Sequence, residues 1–380
     1  MIGTVQAIAK GGAGIIHCAE KTVFVPGVIR AETIEFTIGK QTQGAWQGEL
    51  QRIIDASPQR VEAPCRHYRD CGGCNLQHMA YAEQLRCKED IMTANLRKIA
   101  GCSHSGPIPV LSSPPFRYRS KIELQVEGPA IGFFRKKSHH LVAISQCLLL
   151  SEAAERFILE LPALPAGSHG VLQVLGNGTD VAARMLARTG GKRWLTPGRS
   201  LSFDLLPYRF RSGPEHFIQA NRFQLQPMLD LLTGHLPADP GTVAADLFCG
   251  CGFFTLPLAS RFQRVIALEN DPDNLSALRA NLRSNQATHV EVRAEDALQA
   301  DLPPLDLVVL DPPRGGLSPA LIARIAQTRV KKIIYFSCDS ATFARDLRFF
   351  FKHAFDLREL TIIDNFPQTD HFEIFSVLER

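Results

Sequence analysis

The stretch Val243-Ala244-Ala245-Asp246-Leu247-Phe248-Cys249-Gly250-Cys251-Gly252 decides the fold. Its apolar run predicts a buried strand. The G-x-G turn that follows lets the backbone approach a ligand at the N-terminus of a helix expected over Thr255–Arg261. The same alternation continues downstream. Strands are expected at Arg264–Glu269, Val290–Ala294, Leu305–Leu310 and Lys332–Ser337, with helices at Pro272–Ser284, Pro319–Gln327 and Ser340–Lys352. A helix over Phe223–Leu236 leads in, and two strands, Arg358–Ile363 and Phe372–Leu378, end the chain. Repeated strand–helix units with apolar strands predict an α/β fold, a doubly wound Rossmann-like sheet running from about Pro214 to the end.

Ligands of such sheets bind beyond the carboxyl ends of the strands. Gly250 and Gly252 belong to the expected cofactor loop, but the third glycine of a dinucleotide fingerprint is replaced by Thr255. Glu269 ends the second strand, where a carboxylate can take two ribose hydroxyls, and Asp296 after the third can meet an adenine edge or cap the next helix. Together these ends favour S-adenosylmethionine over a nicotinamide. The fourth strand ends in Asp311-Pro312-Pro313-Arg314-Gly315-Gly316, a rigid acidic turn. The fifth ends at Ser337-Cys338-Asp339, which places Cys338 at the start of a helix whose dipole would favour a thiolate.

A methyl donor beside a nucleophilic thiol suits the methylation of an unreactive carbon. Addition of the Cys338 sulfur to C6 of uracil would make C5 nucleophilic, and a base must then remove the C5 proton. Glu373 on the last strand is the candidate base, an outward-facing strand carboxylate being the plainer alternative. His371 would hold Glu373 or touch phosphate.

Upstream, residues 1–58 read as short strands (Gly3–Ile8, Ala13–His17, Thr22–Val25, Ala31–Ile38, Gln47–Ile54), the pattern of a small oligonucleotide-binding-type barrel. Residues 59–213 form a β-rich middle region holding the clustered cysteines, a strong helix over Tyr81–Ala100 and a shorter helix over Ser151–Leu159. Cys65, Cys71 and Cys74 form C-x5-C-x2-C, with Gly72 and Gly73 allowing a tight wrap. Cys147 is the expected fourth ligand, ahead of Cys87 and Cys102. Four thiolates suit zinc or an iron–sulfur cluster, and spacing does not choose between them.

The chain has 380 residues, 45% hydrophobic and 21% charged, with a net charge of +4, a composition that excludes a largely disordered protein. No apolar run reaches the ~18 residues of a membrane span. No secretory signal opens the sequence, so a cytoplasmic, reducing location is expected, where clustered thiols bind metal more often than they form disulfides. Charge is uneven: residues 1–150 hold 18 Lys+Arg against 12 Asp+Glu. Arg117, Arg119, Lys121, Arg135, Lys136 and Lys137 lie at the ends of an expected hairpin, with Tyr118, Phe133 and Phe134 offered for stacking, and so predict an RNA-facing patch.

These residues resemble the S-adenosylmethionine-dependent RNA 5-methyluridine methyltransferases over nearly the whole chain. The most specific matches are the C-x5-C-G-G-C segment with distant Cys147, DLFCGCG, DPPRGG, SCDSATFARDL and PQTDHFEIFSVLE. The resemblance implies an N-terminal TRAM domain and a [4Fe-4S] cluster rather than zinc on Cys65, Cys71, Cys74 and Cys147. It also implies that Gln219 contacts the cofactor or target base and that Phe248, Glu269, Asp296 and Asp311 hold the cofactor, with Cys338 as nucleophile and Glu373 as base. Phe253 stands where the family often has Asn, so no polar contact is expected of it. The helical stretch near 77–109 is expected to pack on the catalytic domain, residues 214–380. The implied substrate is ribosomal RNA, 23S in particular, with the transfer RNA T-loop as the rival, and the implied state is a monomer. Two readings compete: a non-catalytic iron–sulfur RNA-binding protein, disfavoured by the pair Cys338 and Glu373, and methylation of a base nitrogen, which would not need Cys338.

Overall fold

The computed structural model describes residues 1–18, 21–42, 44–237 and 241–380. The first six strands are β1 (Ile2–Thr4), β2 (Ala7–Ile8), β3 (Ala13–Cys18), β4 (Lys21–Pro26), β5 (Thr33–Thr42) and β6 (Ala45–Asp55). They pair in the order β1-β5-β6-β4-β3-β2. Between β1 and β2 the chain changes partner, the Val5 amide donating to Glu32 O and the Gln6 amide to Ile15 O. The expected single strand Gly3–Ile8 therefore bends, and the sheet returns to its own first strand as a ring. Val23, Val25, Ile34 and Phe36 alternate inward and are fully buried, as the twofold period of a half-buried strand requires.

The cysteine-rich segment leads into α1 (Tyr81–Asn95), extended by a π-helical turn over Leu96–Ala100 that ends at left-handed Gly101. A two-residue strand β7 (Val110–Leu111) follows. The middle sheet contains β8 (Lys121–Glu127), β9 (Ala130–Phe134) and β10 (Leu141–Ala143), then α2 (Glu152–Glu160), β11 (His169–Gly176), β12 (Val181–Ala187) and β13 (Lys192–Trp194). Its order is β10-β9-β8-β11-β12-β13, and α2 covers one face through Ala154 and Ile158 against Leu124 and Leu172. A hairpin, β14 (Leu201–Leu205) and β15 (Tyr208–Ser212), links it to the last region.

That region comprises α3 (Leu225–Gly234), β16 (Gly241–Leu247), α4 (Thr255–Ala259), β17 (Phe262–Glu269), α5 (Pro272–Ser284), β18 (Val290–Ala294), β19 (Leu307–Leu310), α6 (Pro319–Gln327), β20 (Lys332–Ser337), α7 (Ser340–Lys352), β21 (Asp356–Ile363) and β22 (Glu373–Glu379). The sheet order is β18-β17-β16-β19-β20-β22-β21-β7. Strands β16 to β20 are mutually parallel and β22 runs antiparallel between β20 and β21. One face packs Phe210, Leu225, Phe254 and Leu278. The other packs Leu321, Phe343 and Phe350 together with Ile91, Met92 and Leu96 from the helical segment far upstream. That segment also sends β7 to the sheet edge, parallel to β21, a strand too short to show in the sequence pattern.

The segment 364–372 between β21 and β22 is held in part by α1. Lys88 Nζ binds Asp364, both side chains fully buried, and Tyr81 Oη donates to Asp364 at 2.7 Å. Gln84 bonds Gln368 twice, at 3.0 and 2.9 Å. Burial pushes the Lys88 ammonium down, and Asp364 opposes that shift. Removing one member of such a pair strands the other charge, so Lys88→Met should lower unfolding free energy in urea by about 3–5 kcal/mol. Adding Asp364→Asn should recover much of that loss; no recovery would mean the pair's charge is not what holds this segment.

Candidate active site

The carboxyl edge of the sheet opens into a cleft of about 940 Å³ lined by Gln219, Phe248, Gly250, Glu269, Asp296, Asp311, Arg314, Cys338 and Glu373. The carboxyl ends of five strands, the start of β22 and the segment before α3 converge there. Phe248 leaves β16 with φ of +67° and Gly250 follows at +53°, a left-handed turn that brings both residues to the cleft wall. The Gly250 amide donates to Glu269 Oε2 at 3.0 Å, while Oε1 accepts from the Asn270 and Asp271 amides at 2.7 and 2.8 Å. Asp296 Oδ1 accepts from the Leu298 amide at 2.9 Å, capping a turn. Gly252 does not line the cleft: a Cβ there would lie 2.7 Å from Leu278 Cδ1, so its bareness lets α5 pack. Phe253 is buried edge-on between Phe210 and Phe254.

Gln219 joins the two halves of the site. Its Nε2 donates to Asp311 Oδ2 at 3.2 Å and its Oε1 accepts from Asn365 Nδ2 at 2.9 Å. Nothing in the sequence pattern singled out Asn365. Glu373, the first residue of β22, is buried with Oε2 unpartnered. Burial and then the Asp311 charge push its carboxyl well above the usual range, against Asn365 and Arg314. Asp311 is pushed up to about 7, by burial and then by Asp246, with the Gln219 hydrogen bond opposing. Asp246 behind it is likewise pushed up to about 7 by burial, despite Thr255 at 2.6 Å. His371 packs edge-on against Phe366 at 6.4 Å; it makes no hydrogen bond to Glu373 among the described residues.

One electrostatic expectation is overturned. Asp339, not a free helix end, follows Cys338: its Oδ1 takes the Ala341 and Thr342 amides of α7, each at 3.0 Å. Burial, Glu373 and Asp311 push the Cys338 thiol up to about 12, and Arg314 opposes them. Burial and the acids of the cleft raise the thiol, and the first amides of α7 are already taken by the Asp339 carboxylate.

Cys65, Cys71, Cys74 and Cys147 line one small cavity with Tyr68, Arg119, Ile122, Phe133 and Leu149. The loop lies so close to β9 that a Cβ on Gly72 would meet Phe134 O at 2.7 Å. Gly73 N donates to Cys71 Sγ at 3.4 Å. Cys74 is pushed up to about 12 by burial and then by the three other sulfurs, against a Gln77 hydrogen bond. Cys87, Cys249 and Cys251 are buried elsewhere.

The basic stretch divides. Arg117 is taken up by Glu155, whose other oxygen accepts the Cys147 amide at 2.9 Å. Arg119 Nε donates to Lys121 O at 3.1 Å and its side chain lines the cysteine cavity. Lys121 Nζ binds His216 O, and Tyr118 is fully buried with its hydroxyl on Pro367 O at 3.0 Å. Tyr118 is thus an interior residue, while Arg117, Arg119 and Lys121 are half-buried and engaged by partners within the chain. Arg135, Lys136 and Lys137 are exposed. Arg135 pairs with exposed Asp70 at 2.8 Å, and Lys136 Nζ sits 4.6 Å above the Tyr68 ring.

A doubly wound sheet with an antiparallel strand inserted near one edge, acidic strand ends and a G-x-G loop defines an S-adenosylmethionine-dependent methyltransferase. The tRNA (Uracil-5-)-methyltransferase family model matches residues 199–380. The chain is 30% identical to a 23S rRNA (uracil(1939)-C(5))-methyltransferase of Pseudomonas entomophila, covering 99% of this chain and 92% of that one. It is 28% identical to the corresponding enzyme of Pseudomonas putida, with the same coverage. The crystal structure of the Pyrococcus abyssi tRNA (uracil-54, C5)-methyltransferase with S-adenosyl-L-homocysteine shares the fold, with TM-score 0.78 and 21% identity over 100% of this chain and 99% of that one. The chain belongs to the S-adenosylmethionine-dependent RNA 5-methyluridine methyltransferase family and methylates C5 of uracil in RNA. No described helix is long and apolar enough to cross a membrane.

The raised Asp311 carboxyl makes stability depend on pH. Between about pH 4, the ordinary aspartate value, and about 7, the folded chain keeps a proton that the unfolded chain releases, so stability falls as pH rises. Asp311→Asn should therefore raise the melting temperature at pH 8 by on the order of a few degrees and leave it unchanged at pH 4. Equal shifts at both pH values would contradict the assignment.

Proposed function

We propose that this enzyme methylates C5 of a uridine in 23S rRNA through a covalent adduct between Cys338 and C6. The observation that carries the reading is the meeting of Cys338 and Glu373, from neighbouring strands, in one cleft beside Gln219 and Asp311. When bound, S-adenosylmethionine supplies an electrophilic methyl group on a sulfonium centre. Glu269 would hold its ribose hydroxyls, Asp296 its adenine edge, and Phe248, Gly250 and Asp311 the remainder, while Gly252 shapes the loop from behind.

The chain's own groups then account for the proton traffic. The Cys338 thiol, partly open to the cleft, loses its proton to water as its sulfur electron pair bonds C6. C5 gains the electron pair that takes the methyl group. Glu373 removes the C5 proton, the C5=C6 bond re-forms, and the Cys338 thiolate leaves. A carboxylate whose pKa is raised by burial is suited to general-base work near neutral pH. The target base must be extruded from its stack to enter the cleft.

Cys65, Cys71, Cys74 and Cys147 fit a [4Fe-4S] cluster. They surround one cavity, and Arg119 and Lys136 lie close enough to favour the thiolates. Methyl transfer needs no redox step, so the cluster's role is structural or in RNA binding. The ring order of the first six strands, with β4 and β6 parallel, supports an OB-like TRAM module over 1–58. The middle region then spans 59–213 and the catalytic region 214–380, with the helical stretch near 77–109 added to the latter's core. The barrel and Arg135, Lys136 and Lys137 would hold RNA by phosphate and stacking contacts. A monomer in a reducing cytoplasm is sufficient for this chemistry. Transfer RNA is the second reading, favoured by the family description and by the substrate named for the Pyrococcus abyssi structure.

RNA containing 5-fluorouracil should trap wild-type enzyme as a denaturation-resistant adduct once cofactor is added, because fluorine cannot leave as a proton does. Methylation of ordinary RNA without any such adduct would remove the covalent mechanism. Glu373→Gln should accumulate the adduct on ordinary RNA, and normal turnover by that variant would reassign the base. Anaerobically purified protein should show a broad visible absorbance that disappears in step with iron loss and is absent in Cys74→Ser; a colourless, zinc-loaded protein would refute the cluster. Methyl transfer to 23S fragments compared with tRNA transcripts decides the substrate.

A further inference from the structure

The turn joining β2 to β3, residues 9–12 of the N-terminal barrel, reaches the residues flanking both catalytic groups. Lys10 Nζ binds Asp339 Oδ2, and Asp339 follows Cys338 and caps α7 with its other oxygen. One residue on, the Gly11 amide donates to Asp370 Oδ2 at 2.6 Å, and Asp370 stands shortly before Glu373 in the same segment. Asp370 Oδ1 accepts from Asn75 Nδ2 at 2.6 Å, and Asn75 Oδ1 accepts from the Asp370 amide at 3.1 Å. Asn75 Nδ2 also donates to Gly11 O at 3.1 Å, which closes a three-membered knot. Asn75 directly follows Cys74, and its amide and that of Leu76 both donate to Gln368 O. Gly12 is required here: its φ is +75° and a Cβ would lie 2.8 Å from Asn75 Nδ2.

A simple tether between an RNA-binding barrel and a catalytic domain would not need this placement. Lys10 is half exposed, and an exposed ion pair contributes little to stability. What the pair does contribute is direction, since it occupies the Asp339 oxygen that the helix cap leaves free. We propose that the barrel turn at Lys10-Gly11 is part of the catalytic apparatus: Lys10, acting through Asp339, and Gly11, acting through Asp370, set the spacing between the sulfur of Cys338 and the carboxylate of Glu373. Lys10 is thus a positioning residue, and the barrel orients the reacting groups as well as engaging RNA.

The inference rests on the covalent reading above, and the test separates the two. Full-length wild type, Lys10→Ala, Lys10→Arg, Asp339→Asn and the Lys10→Ala/Asp339→Asn double variant are compared on a transcribed 23S rRNA fragment and on its 5-fluorouridine counterpart. Asn keeps the helix cap while losing the charge that Lys10 pairs with. At saturating RNA, Lys10→Ala should lower kcat and the rate of adduct formation by about tenfold, with KM for RNA changed less than about twofold. Asp339→Asn should match it, and the double variant should be no slower than either single variant, as expected for two groups acting through one contact. Lys10→Arg should restore most of the rate, with melting temperatures confirming that each variant folds.

If Lys10→Ala raises KM for RNA and leaves kcat and adduct rate intact, Lys10 is only a phosphate contact and the inference fails. Independent effects that multiply in the double variant overturn it as well. No adduct from wild type would instead remove the covalent reading, whereas an adduct formed as fast by Lys10→Ala removes only this one.

Discussion

The site depends on the antiparallel insertion of β22 between β20 and β21. Pairing of Ser337 with Ile374 sets the start of β22 beside the end of β20, so Glu373 enters the cleft where Cys338 leaves the sheet. To make that insertion the chain must cross the site through residues 364–372, much of it buried. A buried irregular segment carries polar groups that need partners. Those partners come from several upstream regions: Lys88, Tyr81 and Gln84 of α1, Tyr118 just before β8, Asn75 of the cysteine loop and Gly11 of the barrel. The architecture of the upstream regions is in this sense organised around one crossing strand.

The cleft itself is strongly acidic. Asp246, Asp311 and Glu373 share a poorly hydrated space, and each raises a neighbour's affinity for protons. Arg314 opposes the trend at both Cys338 and Glu373 without reversing it. Such an acidic cleft favours a cationic ligand, which accords with a cofactor carrying a sulfonium. The same logic holds at the cysteine cavity in reverse, where sulfurs raise one another and the cations Arg119 and Lys136 lie alongside.

Much of this was legible from residues alone because it depends on local period and on motif. Helices α5, α6 and α7 and strands β18 and β20 begin and end where capping residues, prolines and apolar runs place them. Asp271, Ser318 and Asp339 each accept an amide of the turn they begin. The Gly250 loop, Glu269, Asp296, Asp311, Cys338 and Glu373 could be named because each stands at a strand end, and strand ends of such sheets face ligand. Charge density does not separate Arg117, Arg119 and Lys121, which meet partners within the chain, from exposed Arg135, Lys136 and Lys137, since a basic side chain reads the same in sequence whether it meets water or a carbonyl.

The sequence by itself determined the alternation of strands and helices, the clustering of thiols and which acids end the strands. These follow from short-range periodicity and from residue chemistry. Only the tertiary structure decided that Gln219 ties Asp311 to Asn365, that Lys88 is matched by Asp364, that the Cys338 thiol is raised rather than lowered, and that a turn beginning at Ala9 reaches Asp339 and Asp370. Each of these couples residues far apart in the chain, and their energies are set by burial and by the sum of nearby charges. Neither quantity exists until the chain has folded.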